Sequence, residues 1–320
     1  MEIKKISEIK KGDRIESFFV IKSVDSKVSN NSNTNKYLDF NLGDATGDIN
    51  AKLWECNEEL ENTFKQSTLV KIKGTVNEWR GKLQLKIEMI RLAEERDEVK
   101  ICDYVAVAPY SPEIMYDDIL NYLSKIKNTD IQNIVTNILS DNEEKLMHYP
   151  AAKSNHHSIR SGLLYHTTTM LKAGEKLGEI YTFLNMDLLY AGIILHDIGK
   201  IYEMNASELG IVSEYTVEGQ LIGHIVQGIK MIETASLQVK ADKEVSMLLQ
   251  HMVLAHHYEA EYGSPKKPMI PEAEMLHHLD IMDARMYDMN KALTDTEEGK
   301  FSERIWSLDN LSIYKSFISK

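Results

Sequence analysis

Histidine and aspartate residues that could bind a metal are concentrated in the second half of the chain. Ten of the eleven histidines lie between positions 156 and 278, and His196 is followed directly by Asp197 in the segment AGIILHDIGKIY at 191–202. Burying an imidazole beside a carboxylate at the end of an apolar run is costly unless a ligand compensates. Neutral imidazole nitrogen and carboxylate oxygen are both good ligands for divalent metals. The pair therefore predicts a metal site, and a surface pair that caps a core helix is the alternative.

Further residues of the same types recur at long intervals along the chain. The series continues with His166, His224, His256, His257 and Asp280. Such spacing places the residues on different helices, which an antiparallel bundle can bring together in one pocket. A single histidine is more often structural than a ligand, so the prediction depends on the whole series.

The first part of the chain is predicted to form short strands separated by turns. Alternating apolar and polar residues predict strands at 37–42, 49–53, 69–76 and 82–90. With one further strand ahead of these four, the barrel has five strands. A helical patch at 58–64 then lies between the third and the fourth strand, which is the order of an OB-fold barrel. The Asn/Ser-rich residues 29–35 are predicted to form a flexible hairpin tip.

One face of this barrel combines aromatic and basic side chains. The outward face would carry Tyr37, Lys52, Trp54, Gln84 and Lys86. Stacking platforms beside cations are what proteins use to bind single-stranded nucleic acid. The alternative is that Trp54 and Trp79 pack against a neighbouring domain.

The rest of the chain is predicted to be helical. A charged segment, EERDEV at 94–99, and prolines at 109 and 112 mark the connection between the two parts. Helices are predicted at 113–126, 131–146, 158–177, 186–196, 219–237, 243–256 and 271–286.

Composition limits the class and the location of the protein. The net charge is −12, but residues 1–95 contain equal numbers of acidic and basic residues, so the acidic excess lies in the helical part. Bound cations would offset part of this excess, so a polyanionic substrate stays compatible. The two cysteines lie outside any CxxC motif, which argues against a zinc ribbon. No run of 18 apolar residues and no apolar signal-peptide centre is present, so we expect a cytoplasmic protein without a membrane partner.

Three longer segments resemble a known superfamily. They are HHSIRSGLLYHT, LLYAGIILHDIGKIYE and LAHHYEAEYGSPKKPMIPEAEMLHHLDIMDARM. Together they resemble the HD superfamily of metal-dependent phosphohydrolases. They are most similar to its YhaM-type branch of 3′-to-5′ exoribonucleases, also described as cmp-binding factor, in which an OB-fold precedes an HD domain. The ending FSERIWSLDNLSIYKS resembles that branch too, so the similarity covers nearly the whole chain.

The resemblance implies a multidomain α+β fold with an N-terminal five-stranded OB-fold β-barrel and an all-α HD-type helical bundle. The expected boundaries are 1–95 for the OB-fold nucleic-acid-binding domain, 96–130 for the linker and connecting helix, 131–290 for the HD-type domain and 291–320 for a C-terminal tail.

The resemblance also implies roles for individual residues. A first metal site would comprise His166, His196, Asp197 and Asp280. Asp197 would bridge to a second site with His224 and His256, and His257 would be an adjacent ligand or a substrate contact. Two divalent ions are expected, with Mn²⁺ favoured and Co²⁺, Fe²⁺, Zn²⁺ and Mg²⁺ as alternatives.

Three further residues are given roles around the metal site. Lys200, together with His196 and Asp197, would be a catalytic residue, and its ammonium group would interact with a phosphate oxygen. The alternative is that Lys200 lies at a solvated helix end. His157 would contact substrate phosphate. Asp283 would lie behind the ligands or contact a histidine.

The expected function is removal of nucleotides from the 3′ end of single-stranded RNA, with single-stranded DNA as a second candidate substrate. The OB-fold would hold the strand while the HD pocket cuts it. Two rivals stay open: a phosphohydrolase that acts on free nucleotides, and a non-catalytic DNA- or RNA-binding replication accessory factor. The OB-fold weighs against the first, and the complete His/Asp series weighs against the second. A homo-oligomer is compatible with the acidic helical domain.

Overall fold

The computed structural model describes residues 4–28, 36–54, 56–154 and 156–318. The chain divides into two units, which span residues 1–107 and 108–320. This division falls inside the predicted linker, 96–130. The predicted hairpin tip at 29–35 lies outside the described residues.

The first unit is a closed barrel of five strands. Its elements are β1 (Arg14–Val28), β2 (Lys36–Asp44), β3 (Gly47–Trp54), α1 (Glu58–Thr63), β4 (Leu69–Trp79) and β5 (Lys82–Leu92). The strands follow one another around the barrel in the order β1-β2-β3-β5-β4, and β3 and β5 form the parallel pair. This topology, with a helix between the third and fourth strands, confirms the predicted OB-fold.

Alternation in β5 holds over the middle of the strand and fails near both ends. The pattern of Leu83, Leu85, Ile87 and Met89 predicts one buried face, but only Leu85 and Ile87 are buried, whereas Leu83 is 36% and Met89 66% exposed. The pairing of β5 with β4 skips Glu88, which reverses the side of the sheet to which the next residue points. The prediction for Met89 is wrong because a bulge interrupts the alternation.

The second unit is mainly helical. Its elements are α2 (Pro112–Lys125), α3 (Thr129–Leu146), α4 (Gly162–Ile180), α5 (Met186–Leu195), α6 (Lys200–Glu203), β6 (Met204–Ala206), β7 (Val212–Tyr215), α7 (Val217–Val239), α8 (Lys243–Ala255) and α9 (Pro271–Asp295). The predicted helices are present, although α9 is longer than expected. The hairpin of β6 and β7 was not predicted, and the expectation of helix throughout is wrong at 204–215.

Helix α5 is the centre of the bundle. Every residue from 188 to 195 is buried, and α5 contacts α2, α3, α4, α8 and α9. Polar side chains cap the helices of the unit and satisfy N–H groups of their first turns. The caps of α2, α3, α5, α7 and α8 are Ser111, Asn128, Asn185, Thr216 and Asp242. The chain therefore delivers His196 and Asp197 at the end of the most buried helix.

Helix α4 begins later than its sequence pattern suggests. Ser161 has a left-handed backbone conformation, with φ of 60°, so the helix starts at Gly162. A Cβ atom at Gly162 would lie 2.0 Å from the backbone oxygen of His157. The incoming segment can therefore lie directly against the first turn of α4 only because residue 162 has no side chain.

The residues after α9 fold back on themselves. Isolated bridges pair Phe301 with Tyr314 and Ile305 with Leu311, and the turn Trp306–Leu308 contacts α9. Within the described part of the chain, no helix has the length and apolar character needed to cross a membrane.

We predict that Gly162→Ala destabilises the second unit by about 1–3 kcal/mol, because the new methyl group overlaps rigid backbone. Gly178→Ala in the same helix is the matched control, since its methyl group would meet only the flexible Met186 side chain. The gain in helix propensity there, about 0.5–1 kcal/mol, offsets that contact. Thermal and urea unfolding of both variants measure the difference, and equal losses of stability would contradict the explanation.

Candidate functional site

The residues of the His/Asp series converge in the second unit from five parts of the fold. His166 lies on α4, His196 and Asp197 follow α5, His224 lies on α7, His256 and His257 follow α8, and Asp280 lies on α9. The ligand atoms of Asp197, His224, His256 and His257 lie within 4.8 Å of one another, and so do those of His166, His196 and Asp197. The two groups share Asp197.

The two carboxylate oxygens of Asp197 face different histidines. Its Oδ1 lies 3.5 Å from His224 Nε2 and 3.9 Å from His256 Nε2. Its Oδ2 lies 3.3 Å from His196 Nε2 and 4.0 Å from His166 Nε2. This arrangement fits a carboxylate that bridges two cations.

Lys200 contacts the same carboxylate. Its Nζ lies 2.7 Å from Asp197 Oδ2, and the Lys200 side chain is only 12% exposed. Burial raises the pKa of Asp197, but Lys200 and His196 outweigh this effect and hold that pKa well below its usual range. Burial lowers the pKa of Lys200, but Asp197 outweighs it and raises that pKa. Both side chains are therefore charged, and Lys200 is not a solvated helix end.

Each clustered histidine is held through Nδ1. The partners are Asp283 for His166, the Ile193 carbonyl for His196, Glu203 for His224, the Val253 carbonyl for His256 and the Tyr262 carbonyl for His257. A carbonyl or carboxylate oxygen accepts, so each Nδ1 carries a proton and Nε2 is the ring nitrogen directed at the cluster.

The atoms that face the cluster lack hydrogen-bond partners. The unpartnered atoms are Asp197 Oδ1 and the Nε2 atoms of His166, His196, His224 and His256, and all of them are buried. Buried polar atoms are nearly always satisfied in folded proteins. Five such atoms directed at a common region, all of types that bind divalent cations, fit a metal centre.

The two aspartates of α9 differ in position. Asp280 Oδ1 lies 3.2 Å from His166 Nε2, without the alignment of a hydrogen bond, whereas Asp283 Oδ2 lies 2.7 Å from His166 Nδ1. Asp280 thus faces the cluster, and Asp283 orients a histidine from behind. Burial lowers the pKa of His166, but the two carboxylates outweigh it and raise that pKa to about 10.

The prediction that His157 contacts substrate is wrong. The residue is 1% exposed, its Nε2 lies 3.5 Å from Asp283 Oδ2, and its ring packs 4.0 Å from Tyr287. A positive φ of 53° turns the chain inward there. Burial lowers the pKa of His157 to about 2, so the ring is neutral. Its neighbour His156 lines the cavity instead.

A cavity of about 600 Å³ lies in front of the cluster. Asp197, Lys200, His224, His257 and Asp280 line its inner wall. The unpredicted hairpin contributes Met204 and Tyr215 to other walls of the cavity, and the loop before α9 contributes Tyr258 and Tyr262. These residues have no spacing pattern that connects them to the histidines.

Two supporting residues were also missed by sequence reasoning. Glu203 binds His224, and His277 donates from Nδ1 to the backbone oxygen of His256 at 2.7 Å. Glu203 lies 21 positions before His224, and His277 lies 21 after His256. Only the tertiary fold reveals such distant pairs.

The outward face of the barrel is assembled as predicted from sequence. Tyr37 and Trp54 are cross-strand partners with ring centroids 4.7 Å apart. The Lys52 ammonium lies 4.8 Å from the Tyr37 centroid, and Lys86 is the register partner of Lys52 on β5. Gln84 is less available, because its amide donates to Asn50 Oδ1 at 2.6 Å. Trp54 is 45% exposed.

We predict that Mn²⁺ raises the thermal stability of the protein. A ligand that binds only the folded state at 100 times its Kd stabilises it by about 2.7 kcal/mol. His196→Ala should abolish most of this increase, whereas His278→Ala, at an exposed position on α9, should retain it. Differential scanning fluorimetry with and without Mn²⁺ makes the comparison, and an equal shift in both variants would refute this assignment of the cluster.

Two domain families match this chain. The HD domain family matches residues 163–285, and the OB-fold nucleic acid binding domain family matches residues 22–93. The second OB-fold domain of replication protein A from Methanococcus maripaludis is similar over 29% of this chain and 96% of its own, at 20% identity and a TM-score of 0.25.

Two relatives are similar over nearly the full length. The 3′-5′ exoribonuclease YhaM of a Geobacillus species is 42% identical over 96% of this chain and 94% of the relative. The 3′-5′ exoribonuclease YhaM of Halalkalibacterium halodurans is 44% identical over 95% of this chain and 93% of the relative. With both domains present and this identity over both proteins, the chain belongs to the YhaM family of 3′-5′ exoribonucleases.

Proposed function

We propose that this protein hydrolyses single-stranded RNA from its 3′ end, with single-stranded DNA as a second candidate substrate. The observation that carries the proposal is the set of unpartnered ligand atoms around Asp197, beside a cavity, in a chain that also has an OB-fold with an aromatic and basic face. The reaction is that named for its relatives. The free cysteines Cys56 and Cys102 suit a reducing compartment, so we place the activity in the cytoplasm.

We infer that two divalent cations bind at the cluster. His166, His196, Asp197 and Asp280 would hold the first, and Asp197, His224 and His256 the second, with His257 adjacent. Bound there, the cations would supply activation of water and stabilisation of charge on the phosphoryl group. Mn²⁺ is the ion we propose first, and Co²⁺, Fe²⁺, Zn²⁺ and Mg²⁺ are the ions to compare, because imidazole and carboxylate ligands without thiolates are compatible with all of them.

The protein's own residues position the substrate. Lys200, charged and at the inner wall of the cavity, would bind a phosphate oxygen as a point charge. Asp283 fixes the ring of His166 and so keeps its Nε2 directed at the cluster. The described residues that line the cavity include no serine, threonine or cysteine, so water rather than one of these side chains is the nucleophile we propose.

The barrel would bind the strand upstream of the reacting end. Tyr37 and Trp54 offer ring faces for stacking, and Lys52 and Lys86 offer charge for phosphates. Stacking tolerates every base, which suits an enzyme that must pass along any sequence.

We predict that 5′-labelled single-stranded RNA incubated with metal-depleted protein and added Mn²⁺ yields a ladder of shortening labelled products. His196→Ala and Asp197→Ala should abolish the ladder, because each removes a cluster ligand, while strand binding by the barrel is retained. Denaturing gels and binding assays measure the two properties.

Other outcomes would decide between the rivals. Cleavage by both variants would refute the site. A wild-type protein that binds the strand but leaves it intact would favour an accessory factor. Hydrolysis of free nucleotides without strand shortening would favour a nucleotide phosphohydrolase.

We predict that Trp54→Ala weakens RNA binding about 5- to 150-fold, the equivalent of about 1–3 kcal/mol for one stacked base. Trp79→Ala, which removes an exposed tryptophan at the β4–β5 turn, is the matched control and should have a smaller effect. Fluorescence anisotropy in EDTA measures affinity without cleavage. A larger loss for Trp79→Ala would relocate the binding surface.

A further inference from the structure

Helix α7 contains a break immediately before a clustered histidine. Gly223 has φ of 67° and ψ of 170°, a backbone conformation that essentially only glycine adopts. A Cβ atom built there would have no neighbour closer than Glu203 Oε1, at 3.7 Å. The backbone angle, and not a lack of space, therefore requires glycine at position 223.

The break makes His224 the start of a new helical segment. The N–H groups at the start of a helix need acceptors from outside it. Glu203 Oε1 accepts from the backbone N–H of His224 at 3.0 Å and from its ring Nδ1 at 3.1 Å. One carboxylate oxygen thus fixes both the backbone and the ring of the same residue.

Two other clustered histidines near Asp197 are held differently. His196 and His256 donate from Nδ1 to carbonyls three residues earlier in their own helices. Their rings are therefore placed by local helix geometry. His224 is instead placed by Glu203, a side chain from α6.

Glu203 is itself firmly placed by backbone contacts. A Cβ atom at Gly219 would lie 2.2 Å from the backbone oxygen of Glu203, and the N–H of Thr216 donates to that same oxygen at 2.9 Å. The first turn of α7 therefore packs directly on the end of α6. Helix α6 begins three residues after Asp197, so one short helix connects the shared carboxylate to the carboxylate that holds His224.

We propose that Glu203 is a positioning residue that, together with the break at Gly223, sets the affinity of the second cation site while leaving the first unaffected. The proposal rests on the two-cation site proposed above. It follows from the geometry: Glu203 contacts only His224 among the clustered residues, and His224 belongs to the second group alone.

This proposal can be tested by titrating the metal-depleted full-length protein with Mn²⁺. Calorimetry and the electron paramagnetic resonance signal of free Mn²⁺ both measure how many ions bind and how tightly. Wild type should bind two ions. Glu203→Ala should weaken one of them about 10- to 100-fold, the usual loss when the partner of a metal-bound histidine is removed, and leave the other unchanged. Gly223→Ala should weaken the same ion, because alanine disfavours the required backbone angles.

Two further variants separate orientation from charge and from general surface effects. Glu203→Gln retains an oxygen that can accept both hydrogen bonds but removes the charge, so it should weaken the second ion less than Glu203→Ala. Glu218→Gln, which removes an exposed carboxylate paired with Lys230 on α7, is the matched control and should bind both ions normally.

Several results would overturn the proposal. Equal weakening of both ions, together with a lower unfolding temperature in EDTA, would show that Glu203 supports the fold in general. Unchanged binding in Glu203→Ala would show that His224 needs no such partner. If the wild-type protein bound a single ion, there would be no second site and the proposal would be wrong. RNA cleavage is measured separately, so that failure of this proposal can be distinguished from failure of the proposed exonuclease activity.

Discussion

A carboxylate buried among imidazoles is the interaction on which the second unit depends. Asp197 follows the most buried helix of the bundle, where an ionised group is stable only with close compensation. The Lys200 ammonium, 2.7 Å from Asp197 Oδ2, supplies part of this compensation. Histidine nitrogens lie near both carboxylate oxygens of Asp197. Because those histidines come from separate helices, the site can form only when the bundle is complete.

The two units separate charge in a way that suits a polyanionic substrate. The barrel residues are balanced in charge and present exposed aromatic rings beside lysines, whereas the acidic excess lies in the helical unit. Within that acidic unit, Lys200 is paired with Asp197 and lies beside Asp280 and Glu203 at the cavity wall, so cations bound at the cluster would be needed to make that wall attractive to a phosphate.

Sequence periodicity predicted the elements, because secondary structure depends on short-range patterns, whereas the candidate ligand set was implied by the recurrence of His and Asp and by the resemblance to the HD superfamily. Alternation predicted β2 to β5, helical spacing predicted the main helices, and the His–Asp pair identified the central carboxylate. Irregularities of the backbone were not predicted from the sequence. They are the bulge at Glu88, the left-handed turn at His157 and the break at Gly223, and each redirects side chains without an obvious local signal in the sequence. The role of Glu203 was not predicted for another reason. Its partner, His224, is distant in sequence, and only the packing of α6 on α7 brings the two residues together.

The division between helices and connections explains how this bundle combines fixed chemistry with a particular substrate. The ligands lie on or directly after helices, but Met204, Tyr215, Tyr258 and Tyr262, which line the cavity, belong to the hairpin and to the loop before α9. Connections tolerate change better than packed helices do, so the shape of the cavity can vary while the ligands stay in place.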